Sequence, residues 1–303
     1  MLATTLAVET PLVMDPLVQG MDCGMAECCR GRILAPGPKS RKHQSTSESR
    51  DMAHAAELFD LTGRTAVVTG GSRGLGRAMV LAFAEHGANV VIASRKLDNC
   101  EAVAAEARAF GVEALPLECH VGHWDQVEAL AEAAHRRFGE IDILVNNAGM
   151  SPLYPSIAEI SEALYDKVMD VNLKGAFRLT AVVGERMKKR GSGSIIFVSS
   201  SAAVKPTPGE VVYGMAKASL HNLTESLSKA YGPEVRVNCI QPGPFLTDIS
   251  KAWSPEAIAG IGNQISLGRA GRPEEVVGAA LYFAGDAGIF TTGAILRLDG
   301  GLR

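Results

Sequence analysis

The run Thr69-Gly70-Gly71-Ser72-Arg73-Gly74-Leu75-Gly76 constrains the fold of this chain more than any other stretch. An apolar strand, Arg64–Thr69, leads into it, and a helix, Leu75–His86, leads out, with Gly87 as its stop. A turn this dense in glycine takes up backbone that other residues resist and lets a second chain or a ligand come close. Beyond it, short apolar segments alternate with helical periods. Strands are predicted at Asn89–Ala93, Ala114–Cys119, Ile141–Asn146, Ser194–Ser199, Val235–Gln241 and Ile295–Leu298. Helices are predicted near Leu97–Phe110, Asp125–Phe138, Glu162–Arg190, Tyr213–Tyr231 and Pro273–Ala284. Continuous apolar strands separated by helices call for a parallel sheet covered on both faces. Right-handed crossovers make it doubly wound, so the expected class is α/β.

The first fifty residues read differently. Pro11, Pro16, Pro36 and Pro38 interrupt any period, and a Ser-, Lys- and Arg-rich stretch follows from Lys39 to Arg50. Such a segment cannot bury enough apolar surface to offset its ordering entropy, so residues 1–51 are expected to be a disordered extension. Glu9 breaks any signal-like apolar run, and the four acids Glu9, Asp15, Asp22 and Glu27 argue against a transit peptide. A start of translation at Met52 is a further reading, and the one favoured here. Residues 52–303 show no linker-like break and are expected to form one domain carrying both the cofactor and the substrate sites.

Composition removes several classes of function. A formal charge of -3 and the lack of a basic cluster interleaved with aromatics leave no reason to expect a nucleic-acid partner. No apolar run approaches the roughly 18 residues a bilayer crossing needs. Cys23, Cys28, Cys29, Cys100, Cys119 and Cys239 have no zinc-type spacing, nor do the seven histidines, so no metal site is expected. Scattered reduced thiols fit a cytoplasmic protein.

A glycine turn that follows a strand and opens a helix is the context of a dinucleotide site in a Rossmann fold. Gly70 permits the tight turn, Gly74 the approach of the pyrophosphate, and Gly76 the packing of helix on sheet; Ser72 and Leu75 lie between them. The diphosphate would sit at the helix N-terminus, where free N–H groups and the helix dipole favour an anion. The second strand ends in Ala93-Ser94-Arg95-Lys96, where an Asp or Glu would be needed to hold a bare ribose 2′-hydroxyl. Arg95, Lys96 and Arg73 would instead pair with a 2′-phosphate, so NADP(H) is the expected cofactor.

Tyr213 and Lys217 in Val-Val-Tyr-Gly-Met-Ala-Lys stand one helical turn apart and share a face. A phenol with an ordinary pKa near 10 is a weak acid–base catalyst at neutral pH, and a nearby ammonium would favour the phenolate. Ser200 lies thirteen residues before the tyrosine.

The glycine turn, Asn146-Asn147-Ala148-Gly149, Ser200 with Tyr213-x-x-x-Lys217, Pro242-Gly243 and Asp299-Gly300-Gly301 occur in order. With these motifs the chain from Phe59 to Leu302 resembles the short-chain dehydrogenase/reductase family. The resemblance implies that Tyr213 is the general acid or base and that Lys217 lowers its pKa and holds the nicotinamide ribose. It selects Ser200 over Ser199 and Ser201, and makes Asn172 a fourth catalytic position that holds a water. It places Asn146, Ala148 and Gly149 beside the adenine ribose. Pro242, Gly243, Phe245 and Thr247 match the segment that meets the carboxamide. Where the family usually has an Asp for the adenine, this chain has Cys119-His120-Val121, so His120 and the Val121 backbone are expected there, with weaker anchoring.

By the same resemblance Met150, Pro152, Leu153, Phe245, Ile249 and Trp253 line an apolar substrate pocket with no cluster of cations. That favours a ketone, an aldehyde or a 3-oxoacyl thioester over a phosphorylated sugar. Three functions remain open: an NADPH-dependent carbonyl or 3-oxoacyl reductase, an alcohol or sugar-acid dehydrogenase working oxidatively, and a non-catalytic NADP-sensing regulator. The family also implies a homotetramer formed through the helices Glu162–Arg190 and Tyr213–Tyr231 and the last strand.

Overall fold

The computed structural model of the chain describes residues 55–247 and 255–303. Seven strands appear in it: Thr65–Thr69 (β1), Asn89–Ser94 (β2), Ala114–Glu118 (β3), Ile143–Asn146 (β4), Gly193–Val198 (β5), Val235–Pro242 (β6) and Ile295–Leu298 (β7). They form one all-parallel sheet in the order β3-β2-β1-β4-β5-β6-β7. The order reverses between β1 and β4, which opens a crevice at the carboxyl edge of the sheet. The predicted α/β doubly wound sheet is thus the observed one.

The helices are Gly74–Glu85 (α1), Leu97–Arg108 (α2), Trp124–Phe138 (α3), Glu162–Met169 (α4), Gly175–Arg190 (α5), Val211–Tyr231 (α6), Pro255–Gln264 (α7) and Val277–Ala284 (α8). Pleating sends successive strand residues to opposite faces. In β1, Ala66 and Val68 join a core with Phe83 of α1, Val103 of α2 and Phe283 of α8. Val67 joins the second core with Leu130 of α3, Val183 of α5 and Leu220 of α6. Burial on both faces explains why the strands read as unbroken apolar runs.

Two departures from the sequence reading bear on the site. The single helix predicted over Glu162–Arg190 is divided by a π-helical turn at Asp170–Lys174, where the Gly175 N–H reaches back to Asp170 O. The Asn172 side chain donates to Val168 O at 2.8 Å, supplying a partner to a carbonyl four residues back. Gly175 is required just after the turn, because a Cβ there would lie 2.0 Å from Val121 O. The second departure is α7, in a stretch where the sequence predicts neither helix nor strand. The expected extension at 1–51 and the pocket residues Ile249 and Trp253 lie outside the described residues. Among the described residues no helix is long and apolar enough to cross a membrane, and no group of three or more His, Cys, Asp or Glu could hold a metal ion.

Candidate active site

The glycine turn is held from beneath by β4. Thr69 Oγ1 accepts the N–H groups of Asn147 at 3.0 Å and Ala148 at 3.2 Å. The Asn147 side chain donates back to Thr69 O at 2.9 Å and Gly70 O at 3.2 Å. Gly70 has φ +65°, and a Cβ on Gly76 would lie 2.2 Å from Gly70 O and 2.6 Å from Asn147 Nδ2. Gly74 has φ +52° and faces the Thr247 side chain. The turn is therefore stripped of side chains where backbone meets backbone. Its half-buried Ser72 and Leu75 flank the start of α1.

A dinucleotide fits the residues present. The backbone cradle opens at the N-terminus of α1. Asn146 is buried with its Nδ2 donating to Thr180 Oγ1 at 2.9 Å, and its Oδ1 has no hydrogen-bond partner. Asn146 and Ala148 line a small cavity with Thr69, Val121 and Gly175. Arg73, Arg95 and Lys96 are exposed at the same edge, and none enters an ion pair among the described residues. Ser94 turns its hydroxyl inward, 3.1 Å from Cys100 Sγ. His120 accepts the Gly122 N–H on Nδ1 at 3.2 Å and lies 4.6 Å from the His123 ring. Burial, then the charges of His123 and Arg95, push the His120 pKa down.

The segment after β6 is fixed at both ends. Gly243 N–H donates to Leu298 O at 3.0 Å, and a Cβ on Gly243 would meet Asp299 at 2.7 Å. Leu246 N–H donates to Gly271 O at 2.7 Å, and the buried Phe245 ring packs on Gly271. Pro242 ends β6, so this segment leaves the sheet at its carboxyl edge beside the glycine turn.

Serine, tyrosine and lysine converge from two elements. Ser200 follows β5, accepts the Ala202 N–H at 3.2 Å and stands beside the half-buried Tyr213, whose pKa it holds down. Ser199 is buried with its hydroxyl donating to Lys217 O at 2.9 Å, so it faces the helix backbone and not the tyrosine. Lys217 is 3% exposed; its ammonium donates to Val198 O at 2.8 Å and lies 5.7 Å from the Tyr213 ring centre. Burial pushes the Lys217 pKa down to about 8. A Cβ on Gly149 would lie 3.3 Å from Lys217 Nζ and 2.8 Å from Asn172 Oδ1, so this glycine admits the lysine to the site.

One expectation needs correcting. The sequence reading had Lys217 drawing the Tyr213 pKa down, whereas it is raised, with burial the largest cause. Ser200 opposes the rise by its hydrogen bond, and Glu210 adds to it. The lysine is sequestered against Val198 O, and the same enclosure that holds it penalises the phenolate. Asn172 is likewise committed: Oδ1 accepts the Met150 N–H at 3.1 Å, and Nδ2 donates to Met150 O at 2.9 Å and to Val168 O at 2.8 Å. Its side chain therefore ties the loop after β4 to the π-turn. Glu210 had drawn no attention in the sequence.

Fold and site together define an oxidoreductase of the Rossmann type. The chain belongs to the short-chain dehydrogenase/reductase family: a family model described as enoyl-(acyl carrier protein) reductase matches residues 70–303. "Dehydrogenase/reductase SDR family member 4" of Oryctolagus cuniculus is 35% identical over 80% of this chain and 94% of that protein. A 3-oxoacyl (acyl-carrier-protein) reductase from Agrobacterium tumefaciens, solved with NADP bound, has 31% identity and a TM-score of 0.78 over 84% of this chain and 99% of its own. A 7α-hydroxysteroid dehydrogenase solved with NADH and 7-oxo glycochenodeoxycholic acid has 30% identity and a TM-score of 0.79 over 82% of this chain and 98% of its own.

Proposed function

We propose that this protein interconverts a carbonyl and a secondary alcohol with NADP(H), working as a carbonyl or 3-oxoacyl reductase. The observation that carries the reading is Ser200 and Tyr213 brought together beside the buried Lys217 ammonium, 5.7 Å from the tyrosine ring centre. A nicotinamide bound at this edge supplies the hydride. Ser200 steadies the substrate oxygen as charge builds on it. Tyr213 then gives that oxygen its phenolic proton. The raised Tyr213 pKa leaves the phenol protonated at neutral pH, the form that donates in the reductive direction. Lys217, positively charged below about pH 8, would hold the nicotinamide ribose beside the tyrosine. Asn172 holds the loop after β4 by two hydrogen bonds to Met150, and would place a water that returns the proton.

Gly70, Ser72, Gly74, Leu75 and Gly76 would hold the diphosphate, and Asn146, Ala148, Gly149, His120 and Val121 the adenosine. Pro242, Gly243, Phe245 and Thr247 would hold the nicotinamide. Arg73, Arg95, Lys96 and Ser94 would meet the 2′-phosphate; three exposed cations without ion pairs support NADP over NAD. We take residues 52–303 as the domain that carries both sites, and the protein as cytoplasmic. Exposed Phe177 on α5 and Leu296 on β7 support a homotetramer through α4–α6 and the last strand. Turnover of Tyr213→Phe tests the chemistry: the variant should retain NADPH binding and lose activity by about a hundredfold or more. An unchanged rate would remove the phenol from the reaction.

A further inference from the structure

Glu210 lies outside every motif of the site. It precedes α6 by one residue and Tyr213 by three, at the end of a 3-10 turn, Pro208–Glu210. A residue at the helix N-terminus and one three positions on face each other across the first turn. Its carboxylate makes no capping hydrogen bond and, among the described residues, no ion pair. Lys205, the cation nearest in sequence, donates to Leu302 O and is turned away. Glu210 is half-buried, and burial alone pushes its pKa up. Its charge is felt at Tyr213.

The backbone on each side of Glu210 is fixed. The Tyr154 hydroxyl donates to Pro208 O at 2.7 Å and accepts the Val211 N–H at 2.8 Å. Tyr154 stands in the loop after β4, next to Pro152 and Leu153 of the expected substrate wall. The Tyr154 hydroxyl thus ties the backbone flanking Glu210 to the loop after β4, three residues ahead of the proton donor. A half-buried carboxylate that neither caps a helix nor pairs with a cation, among the described residues, keeps its charge for a ligand entering beside it.

We propose that Glu210 determines substrate selectivity: its carboxylate favours carbonyl substrates carrying an ammonium group and disfavours those carrying a carboxylate or phosphate near the reacting carbon. The inference rests on the reductase reading above. An ammonium would complete an ion pair there, whereas a second anion would stand unscreened beside the first.

The test uses three ketones of matched shape, bearing a tertiary amine, a neutral group or a carboxylate, with NADPH. Wild type should prefer the amine. Glu210→Gln keeps the shape and removes the charge. Relative to the neutral ketone, it should lower kcat/KM for the amine by about fivefold to tenfold and raise it for the carboxylate by a similar factor. Calorimetric binding of the matched alcohols to Tyr213→Phe, with and without Glu210→Gln, should show the same order without turnover. Equal effects on all three compounds, or no effect on any, would overturn the proposal. Charge-ordered binding with no turnover by wild type would instead sink the reductase reading while sparing the carboxylate's role.

Discussion

Lys217 and Val198 are joined by a hydrogen bond of 2.8 Å from the ammonium to the carbonyl at the end of β5. The contact fixes the lysine one helical turn below Tyr213, in surroundings so enclosed that its pKa falls from 10.5 to about 8. Buried charge is expensive, so the residue's retention marks a task other than stability.

That cost gives a sign. The folded state holds the Lys217 proton less tightly than the unfolded chain, so stability contributed by this group rises with pH between about 8 and 10.5. Below pH 8 the penalty is fully present, on the order of 3 kcal/mol. Lys217→Met should abolish turnover and unfold no more easily than wild type at pH 7. Denaturant midpoints alongside initial rates check this; a strongly destabilised variant would contradict it.

Removing the Ser200 hydroxyl should act twice. Ser200→Ala loses a donor to the substrate oxygen, an effect of about a hundredfold or more on kcat. It also removes the hydrogen bond that holds the Tyr213 pKa down, so the tyrosine limb of the pH–rate profile should move upward. Ser199→Ala, by contrast, breaks a bond to Lys217 O and should shift stability by about 1 kcal/mol with the profile unmoved.

In the glycine turn, Gly76→Ala puts a methyl 2.2 Å from Gly70 O. Gly70 O is backbone and cannot swing aside, so the turn must open. A loss of stability of about 2 kcal/mol or more and of NADPH binding is expected, read by thermal unfolding and fluorescence titration.

Cofactor choice should turn on the exposed cations. Arg95→Glu replaces a partner for a 2′-phosphate by an acid suited to a 2′-hydroxyl, and should weaken NADPH by about tenfold or more relative to NADH. An unaltered ratio of dissociation constants would place recognition elsewhere.

The strands and the cradle were readable in the sequence because both are written locally. Strands buried on two faces are apolar throughout, and the turn between β1 and α1 needs its glycines where a Cβ would collide. The π-turn was not readable, because Glu162–Arg190 keeps a continuous helical period and one extra residue per turn leaves no compositional trace. Choosing among Ser199, Ser200 and Ser201 required family spacing; the structure shows the physical difference in where the first two hydroxyls point. The direction of the Tyr213 shift escaped notice because enclosure depends on residues far apart in the chain. Glu210 was overlooked for a related reason: an acid at a helix start ordinarily caps it, and only the missing capping bond reveals otherwise.

The π-turn has a mechanical consequence. Each residue added to or removed from a helix rotates everything beyond it by roughly 100°. Regularising Asp170–Lys174 would therefore swing Gly175 out of its close fit with Val121 O and dislodge Asn172 from Met150 in the same stroke. The loop bearing Met150 and the loop bearing Val121 are geared to a single wide turn, so length changes there are transmitted to both ends of the crevice at once.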